Sequence, residues 1–419
     1  MMKYLTVTVL VSLLACASSM AEEAKKEEAA PKPEPCVIHR EDGRTTGSMT
    51  AMLERVRHAK PRLAFQAKTQ EEFAKWQKEV KAQLAELLSF PEVTPQPLPK
   101  RLSVEQREGY RLEKWEFYPY DYCAVPILML IPDKASAENK VPGVLCFPGS
   151  SVSKEYLAGE PFIDHPNCKD GRYPDRNRMA WHYVQAGYAA VAFDNPATAE
   201  CSELDLPKPG HGGTRVHYCS MLLEYGYTYM GISVFQAMRF LDFFRTLDFI
   251  DADNIAVSGH SLGSEPAMCL GVLRDDVKAV VFNDFLCDLP RQYMACSADP
   301  AFINSWGNWH WVPGIWQQFA YPDLLAAIAP KYLAMNEGGA KEFTDKVLAA
   351  YKLMGVPDNA VLTHYPRYQD PATRKFEDSL VPRHGMTMQQ FFDICYVYPG
   401  DHSFRSEPSL NLLKKAFGK

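Results

Sequence analysis

The sequence predicts an α/β fold in which a mostly parallel β-sheet is covered by helices on both faces. Short buried strands of β-branched and small apolar residues alternate with helical segments after residue 140. The turns that follow five of these strands each carry a polar side chain, namely Ser150, Asp194, Ser261, Asp284 and Glu337. Because the carboxyl ends of parallel strands meet at one edge of a sheet, we expect a reactive site at that edge.

Composition narrows the class of protein. A chain of 419 residues with 47% hydrophobic residues fits a large globular domain with a substantial core. A net charge of −6 gives no reason to expect nucleic-acid binding. The eleven cysteines lack Cys-x-x-Cys spacing, so neither a zinc site nor a redox motif is indicated. We find no metal-ligand constellation, no phosphate loop and no transmembrane span, and we expect no cofactor.

Residues 1–21 are predicted to be an export signal, because a lysine precedes an apolar stretch that is too short to span a bilayer. Two processing routes compete. Residues 19–21, Ser-Met-Ala, form a small-x-small cleavage site for secretion. Residues 13–16, Leu-Leu-Ala-Cys, instead resemble a bacterial lipobox in which Cys16 would carry a lipid anchor. We therefore expect an exported bacterial protein that is periplasmic, secreted or lipid-anchored at the cell surface.

Three further segments complete the predicted organisation. Residues 22–48 begin with a run of Glu, Lys, Ala and Pro only, which predicts a disordered linker. Residues 49–100 are predicted to be an N-terminal helical extension, with Thr69 as a helix cap. Its apolar stripe comprises Phe73, Trp76, Val80, Leu84 and Leu87. Residues 101–419 are predicted to form the catalytic domain.

Within that domain, 110–118 and 123–131 are predicted to be an antiparallel strand pair at a sheet edge. The following strands are predicted at 144–147, 188–193, 255–257, 277–282, 332–335 and 361–365, and the helices at 175–186, 229–247, 342–354 and 410–417. Residues 199–226 have no strong period and many Gly, Pro and Cys residues, which predicts a loop or lid-like insertion.

A Gly-x-Ser-x-Gly sequence, residues 259–263, lies between the strand at 255–257 and a helical segment. This strand–turn–helix context is the one that a nucleophile elbow requires. The serine must adopt a strained backbone conformation, and Gly259 and Gly263 let strand and helix approach without a Cβ clash. Ser261 is therefore the predicted nucleophile.

A serine needs a histidine as base, and the histidine needs a carboxylate to orient it. In α/β-hydrolases these residues follow in the order Ser, acid, His. His402 lies in a turn before the final helix, where the base is expected. Glu337, at the end of the penultimate strand and before two glycines, is the predicted acid. Asp284, at the end of the preceding strand, is the alternative.

The oxyanion is expected to be held by backbone N–H groups. The elbow supplies that of Leu262, and the loop after the 144–147 strand supplies that of Ser150 or Ser151. His310 with Trp309 and Trp311 is either a platform for a sugar ring or a buried aromatic cluster.

Several segments together carry a resemblance to a known family: the elbow and residues 147–151, 192–196, 310–314, 336–339 and 401–402. With them the chain resembles the bacterial acetyl-xylan-esterase-like subgroup of the α/β-hydrolase superfamily. That subgroup is similar to secreted carbohydrate esterases, including pectin methyl esterases. The resemblance covers residues 102–419 and implies an α/β-hydrolase fold with Ser261 as nucleophile, His402 as base and Glu337 as acid. Relatives often have an aspartate shortly after the double glycine, where this chain has Ala340 and Lys341.

The predicted function is that of a serine esterase that removes acetyl or methyl ester groups from a polysaccharide or oligosaccharide. Two rival classes remain, a serine peptidase of the same fold and a catalytically inactive binding module. An assay on amide substrates separates the first rival from an esterase. Failure of a fluorophosphonate probe to label Ser261 would favour the second.

Overall fold

The computed structural model describes residues 40–57, 60–150, 152–160, 177–203, 213–285, 307–375 and 386–418, with the single residues 292, 296 and 299. The chain divides into two compact units, Met1–Met52 and Leu53–Lys419. In the first unit, the described residues contain an ion pair between Arg44 and Asp42 at 2.9 Å. The elements described below belong to the second unit, except that helix α1 begins in the first. The predicted signal and most of the predicted linker lie outside the described residues.

A nine-stranded sheet forms the centre of the second unit. Its strands are β1 (Lys100–Arg107), β2 (Tyr110–Phe117), β3 (Val125–Pro132), β4 (Val141–Phe147), β5 (Ala189–Phe193), β6 (Ile250–His260), β7 (Ala279–Asn283), β8 (Tyr332–Met335) and β9 (Ala360–Leu362). The spatial order is β1-β2-β3-β5-β4-β6-β7-β8-β9. The pairs β1–β2, β2–β3 and β3–β5 are antiparallel, and every pair from β5 through β9 is parallel. The predicted mostly parallel sheet is confirmed.

The α-helices of the described residues are α1 (Ser48–Arg57), α2 (Gln70–Leu88), α3 (Lys154–Ala158), α4 (Met179–Gln185), α5 (Gly213–Glu224), α6 (Tyr229–Phe244), α7 (Ser264–Leu273), α8 (Ile315–Gln318), α9 (Tyr321–Ala326), α10 (Lys341–Leu353), α11 (Met388–Cys395) and α12 (Ser406–Phe417). None of these helices has the length and apolar character that a membrane crossing needs.

The sheet buries both of its faces, because alternate residues of a strand point to opposite sides. In β3, Ile127 and Met129 join one apolar cluster with residues of α2, α6 and α7. Leu128 and Leu130 join another with residues of α4 and α12. Helices therefore cover both faces, as the sequence predicted.

Helix α2 begins where the sequence predicted. The side chain of Thr69 accepts a hydrogen bond from the backbone N–H of Glu72, which caps the helix. Its apolar stripe packs into the same core cluster as the central strands, although Leu88 rather than Leu87 is the fully buried residue at the helix end.

Two sequence predictions about secondary structure are wrong. The sheet edge is β1, which was not predicted, and the β2–β3 pair lies inside it. All but the last residue of β1 are exposed, so the strand lacks the alternation that marks a half-buried strand. The segment 199–226, predicted to be a loop or lid-like insertion, contains helix α5 and a short 3₁₀ turn at Ala199–Cys201.

Candidate active site

Ser261 lies at the end of β6, at the start of a 3₁₀ turn that leads into α7. Its φ angle is +53°, a left-handed conformation that is strained for a serine. A Cβ at Gly259 would lie 2.0 Å from the carbonyl oxygen of Gly263, and one at Gly263 would lie 2.2 Å from that of Phe147. The turn therefore needs both glycines, as expected for a nucleophile elbow.

Glu337 follows β8 and is completely buried. Its Oε2 lies 2.5 Å from Nδ1 of His402, which follows a 3₁₀ turn between α11 and α12. The carboxylate also accepts a hydrogen bond from the backbone N–H of Ser403 at 2.9 Å and one from the Tyr365 hydroxyl at 2.9 Å. These contacts fix the orientation of the His402 ring relative to the Glu337 carboxylate.

The charge of Glu337 determines the protonation of His402. Burial disfavours the imidazolium, but the carboxylate of Glu337 outweighs burial and raises the pKa of His402 to about 9. The ring of His260 lies against that of His402, with 4.6 Å between the centroids. Burial, reinforced by His402, holds the pKa of His260 well below its usual range, so this neighbour stays neutral.

Ser261 and His402 line one cavity of about 340 Å³, together with Ser150, Leu262 and Asp284. No hydrogen bond joins the two side chains, although both are among the described residues. In ligand-free active sites, catalytic hydrogen bonds are often long and tighten when substrate binds. The structure thus brings the predicted nucleophile and base to the same cavity.

Asp284 follows β7 and lines the cavity, but its Oδ1 accepts the backbone N–H of Phe285 at 2.8 Å. Burial raises the pKa of Asp284 to about 7. Of the two predicted acids, the structure places Glu337 and not Asp284 in hydrogen-bonding contact with His402.

The loop after β4 is fixed by contacts to its carbonyl groups. The Asn195 amide donates to the carbonyls of Pro148, at 3.1 Å, and Gly149, at 3.0 Å. A Cβ at Gly149 would lie 3.1 Å from Nδ1 of His260, which is tighter than an ordinary contact, so the glycine permits a close approach to the elbow. Ser150 lines the cavity, as does Leu262 from the elbow, and Ser151 lies outside the described residues.

A buried ion-pair network supports the same loop. Lys154, completely buried at the start of α3, donates from Nζ to Asp194 at 2.8 Å and forms an ion pair with Glu200 at 2.6 Å. The backbone N–H of Lys154 also donates to Asp194 at 2.7 Å. Asp194 therefore ties the segment after β4 to the end of β5.

Arg215 of α5 was not singled out in the sequence, because its segment was predicted to be a loop. Its side chain is fully buried, and Nη1 donates to the carbonyl of Ser150 at 2.9 Å. The guanidinium also lies 3.8 Å from the ring centroid of Trp309. The contacts of Arg215 are distant in sequence, so no local sequence pattern could have predicted its burial or its contact with Ser150.

The predicted sugar platform is only partly at the site. Trp309 and His310 line the cavity, but Arg215 covers the Trp309 ring, which is only 9% exposed. Trp311 is 50% exposed and is not among the residues lining the cavity. His310 Nδ1 lies 2.7 Å from Oε1 of Glu265, which is buried in α7.

One group of candidate metal ligands occurs among the described residues. Ligand atoms of His260, Glu337 and His402 all lie within 4.8 Å of one another. His402 and Glu337 already contact each other there, so the group coincides with the candidate catalytic pair.

The fold and the elbow together define an α/β-hydrolase. The profile of the Abhydrolase family matches residues 33–415, and the chain belongs to that family. A protein of Bacteroides fragilis NCTC 9343, described as a candidate acetyl xylan esterase, is 37% identical with a TM-score of 0.82. The match covers 91% of this chain and 98% of that one. A search of curated proteins found no match.

Two more distant structures share the fold. A glucuronoyl esterase from Solibacter usitatus is 15% identical with a TM-score of 0.52, covering 85% of this chain and 97% of that one. A methylesterase is 13% identical with a TM-score of 0.54, covering 88% of this chain and 67% of that one.

Proposed function

We propose that this protein is a serine esterase that hydrolyses carboxylic esters on a polysaccharide, by removing acetyl or methyl ester groups. One observation carries the proposal. Ser261, on a strained turn, lines the same cavity as His402, whose Nδ1 contacts the buried carboxylate of Glu337. These are the parts that turn a serine hydroxyl into a nucleophile.

In the proposed reaction, Oγ of Ser261 attacks the ester carbonyl while Nε2 of His402 takes its proton. The carbonyl oxygen becomes an oxyanion, held by the backbone N–H of Leu262 and by one from the loop at Ser150 and Ser151. His402 then passes the proton to the departing alcohol, and the acyl group stays on the serine. A water, deprotonated by His402, releases the acid and restores Ser261.

Glu337 has two roles in this scheme. It keeps the proton on Nδ1 of His402, which leaves Nε2 free to accept the serine proton, and it stabilises the imidazolium that forms. The cost is a raised pKa for His402, so a smaller fraction of the base is neutral at low pH.

The identity to the Bacteroides fragilis protein supports a substrate of the acetylated glycan type. The glucuronoyl esterase and the methylesterase share the fold at low identity, so they add no weight to uronoyl or methyl esters. Mass spectrometry of acetate and methanol released from xylans and pectins tests this part of the proposal. Methanol release without acetate release would contradict the acetyl form.

The central experiment replaces Ser261 with alanine and follows the hydrolysis of p-nitrophenyl acetate. Loss of the nucleophile should lower kcat by on the order of a thousandfold or more. The parent protein should also react with a fluorophosphonate probe and show little activity on amide substrates. If the alanine variant hydrolyses the ester as well as the parent does, Ser261 is not the nucleophile.

We also propose that the protein is exported, on the strength of the N-terminal sequence. Cell fractionation of the full chain, with a Cys16→Ala variant beside it, separates the two processing routes. Release of the variant from the membrane fraction supports the lipid anchor, and equal soluble export of both supports cleavage after Ala21. Retention of both in the cytoplasm would contradict export.

A further inference from the structure

A second cavity, of about 840 Å³, lies outside the candidate active site. Its walls come from the residues just before β3, from the segment after β5, from α5 and from α6. Its volume falls in the range of about 300–1,000 Å³ that is typical of ligand-binding pockets. The active-site cavity, at about 340 Å³, is close to the lower limit of that range, so most of a polymeric substrate must lie elsewhere.

Aromatic rings and polar acceptors line this second cavity together. The rings are those of Tyr120, Tyr122 and Tyr218, and polar groups come from Asp121, Glu203 and Gln236. Neither lysine nor arginine is among the described residues that line it. Flat apolar faces beside hydrogen-bond acceptors suit a ligand rich in hydroxyl groups, and the two carboxylates disfavour an anionic one.

One polar atom at the cavity remains available to a ligand. Oδ1 of Asp121 accepts from Gln96 at 2.6 Å and from Thr94 at 3.1 Å, whereas Oδ2 bonds to none of the described residues. A ligand hydroxyl can donate to this second carboxylate oxygen, because Asp121 is exposed at the cavity.

Tyr122 presents its ring to solvent at the cavity. The side chain is fully exposed, and the backbone has a φ of +64°, a conformation that bulky residues rarely adopt. Strained backbone of this kind concentrates at functional sites. Packing does not account for the position of this ring, but contact with a ligand would.

The second cavity is connected to the active site through one packed cluster. Tyr120 and Tyr218 pack against a buried group that includes Leu262 and Trp309, and the latter two line the active-site cavity. Helix α5 takes part on both sides, because Tyr218 lines the second cavity while Arg215 binds Ser150. The two cavities therefore lie on either side of one shared wall of packed side chains.

We propose that this second cavity binds an uncharged oligosaccharide segment of the esterified glycan, next to the sugar whose ester is hydrolysed. The proposal rests on the esterase function proposed above. Its chemistry is stacking of pyranose rings on the tyrosines and hydrogen bonds from sugar hydroxyls to Asp121 and Gln236. The carboxylates of Asp121 and Glu203 disfavour a chain of free uronic acids, and the described lining residues include neither lysine nor arginine to balance its charge.

The first test measures binding by calorimetry to the Ser261→Ala protein, which cannot turn over an ester. The probes are xylohexaose and mannohexaose, which are uncharged, and hexagalacturonate, which is anionic. At least one uncharged hexasaccharide should bind, and hexagalacturonate should bind at least about tenfold more weakly. Equal affinity for hexagalacturonate, or no binding of either uncharged probe, would overturn the proposal.

Two substitutions locate the binding. Tyr122→Ala removes an exposed ring, and Ala124→Trp fills space at an exposed position of the same wall. Each should weaken the uncharged probe about tenfold. Tyr225→Ala is the matched control, because Tyr225 is 83% exposed just beyond α5 but does not line the cavity. Unchanged affinity in both cavity variants, or an equal loss in the control, would refute the assignment.

Kinetics separate this inference from the esterase proposal. With Ser261 intact, Tyr122→Ala should lower the ratio of kcat/KM for acetylated xylan to kcat/KM for p-nitrophenyl acetate by about tenfold. An active esterase whose ratio does not change contradicts only the glycan cavity. A Ser261→Ala protein with parental activity contradicts the esterase proposal, whatever the hexasaccharides show.

Discussion

Replacing Glu337 with glutamine tests the candidate active site most directly, because it removes one charge and almost no volume. Glu337 raises the pKa of His402 to about 9 from an ordinary value of 6.5. At about 1.36 kcal/mol per pH unit, that difference of about 2.5 units corresponds to about 3 kcal/mol of stabilisation of the imidazolium. The His402 side chain is 25% exposed, so solvent screening reduces this figure only in part.

The glutamine variant should show two linked effects. Without the carboxylate, burial of His402 remains, so its pKa should fall below 6.5 and the acid limb of kcat/KM should shift down by about two pH units or more. The glutamine amide can also donate to Nδ1, which would place the proton on Nε2, where it blocks acceptance from Ser261. We therefore expect kcat to fall by about 10³–10⁴, as expected for a base in the wrong tautomer.

The assay is a pH–rate profile on p-nitrophenyl acetate between pH 5 and about 10, for the parent and three variants. Glu337→Asp keeps the negative charge, so the pKa of His402 should stay raised and the acid limb of kcat/KM should stay near its parental pH. Asp284→Asn is the matched control, because Asp284 lines the cavity without a hydrogen bond to His402 and its charge raises the pKa of His402 less than that of Glu337 does, so it should cost far less than Glu337→Gln. The reasoning is refuted if Asp284→Asn costs as much activity as Glu337→Gln, or if the acid limb of the glutamine variant does not move.

Three substitutions test the supporting structure by thermal unfolding and activity. Gly263→Ala places a Cβ about 2.2 Å from a backbone carbonyl oxygen, so the variant should lose the elbow geometry and its activity, and parental activity would contradict the close packing. Lys154→Met leaves Asp194 buried and without its cation, which should destabilise the fold by about 3–5 kcal/mol near pH 7, and less when Asp194 is protonated at low pH. Arg215→Met leaves the Ser150 carbonyl without its donor and should cost about 1–3 kcal/mol, with a fall in kcat that Arg215→Lys partly restores. An unchanged melting temperature in either charge variant would contradict the buried contact that it removes.

The elements that bear the candidate site could be predicted because their chemistry is local in sequence. Gly-x-Ser-x-Gly after a buried strand requires a particular turn, and the structure has that turn at Ser261. Residues that end parallel strands must meet at one edge, which brought Glu337 into contact with His402 and Asp284 to the cavity that His402 lines. The choice between them depended on side-chain reach and on hydrogen bonds, and neither can be read from strand patterns.

Other features were missed because their cause is distant in sequence. Strand β1 is stabilised by pairing with β2, and its side chains are exposed on both faces. Hydrophobic periodicity therefore does not predict this strand. In helix α5 the apolar Val216 and Met221 are exposed, while the charged Arg215 is buried. The spacing of apolar residues therefore does not predict this helix. Tertiary contacts of the Arg215 guanidinium with Ser150 and Trp309 explain its burial, and these exist only in the folded chain.

The contacts of Glu337 also bear on the aspartate that the family resemblance leads us to expect after the double glycine. Gly338 and Gly339 both have positive φ angles, which turn the chain immediately after the carboxylate. Glu337 can therefore hold the His402 ring through one oxygen and the backbone N–H of Ser403 through the other. Nδ1 of His402 can carry only one proton, and Glu337 already accepts it, so orienting the ring needs no second carboxylate. Ala340, which follows the double glycine, is buried at the start of α10.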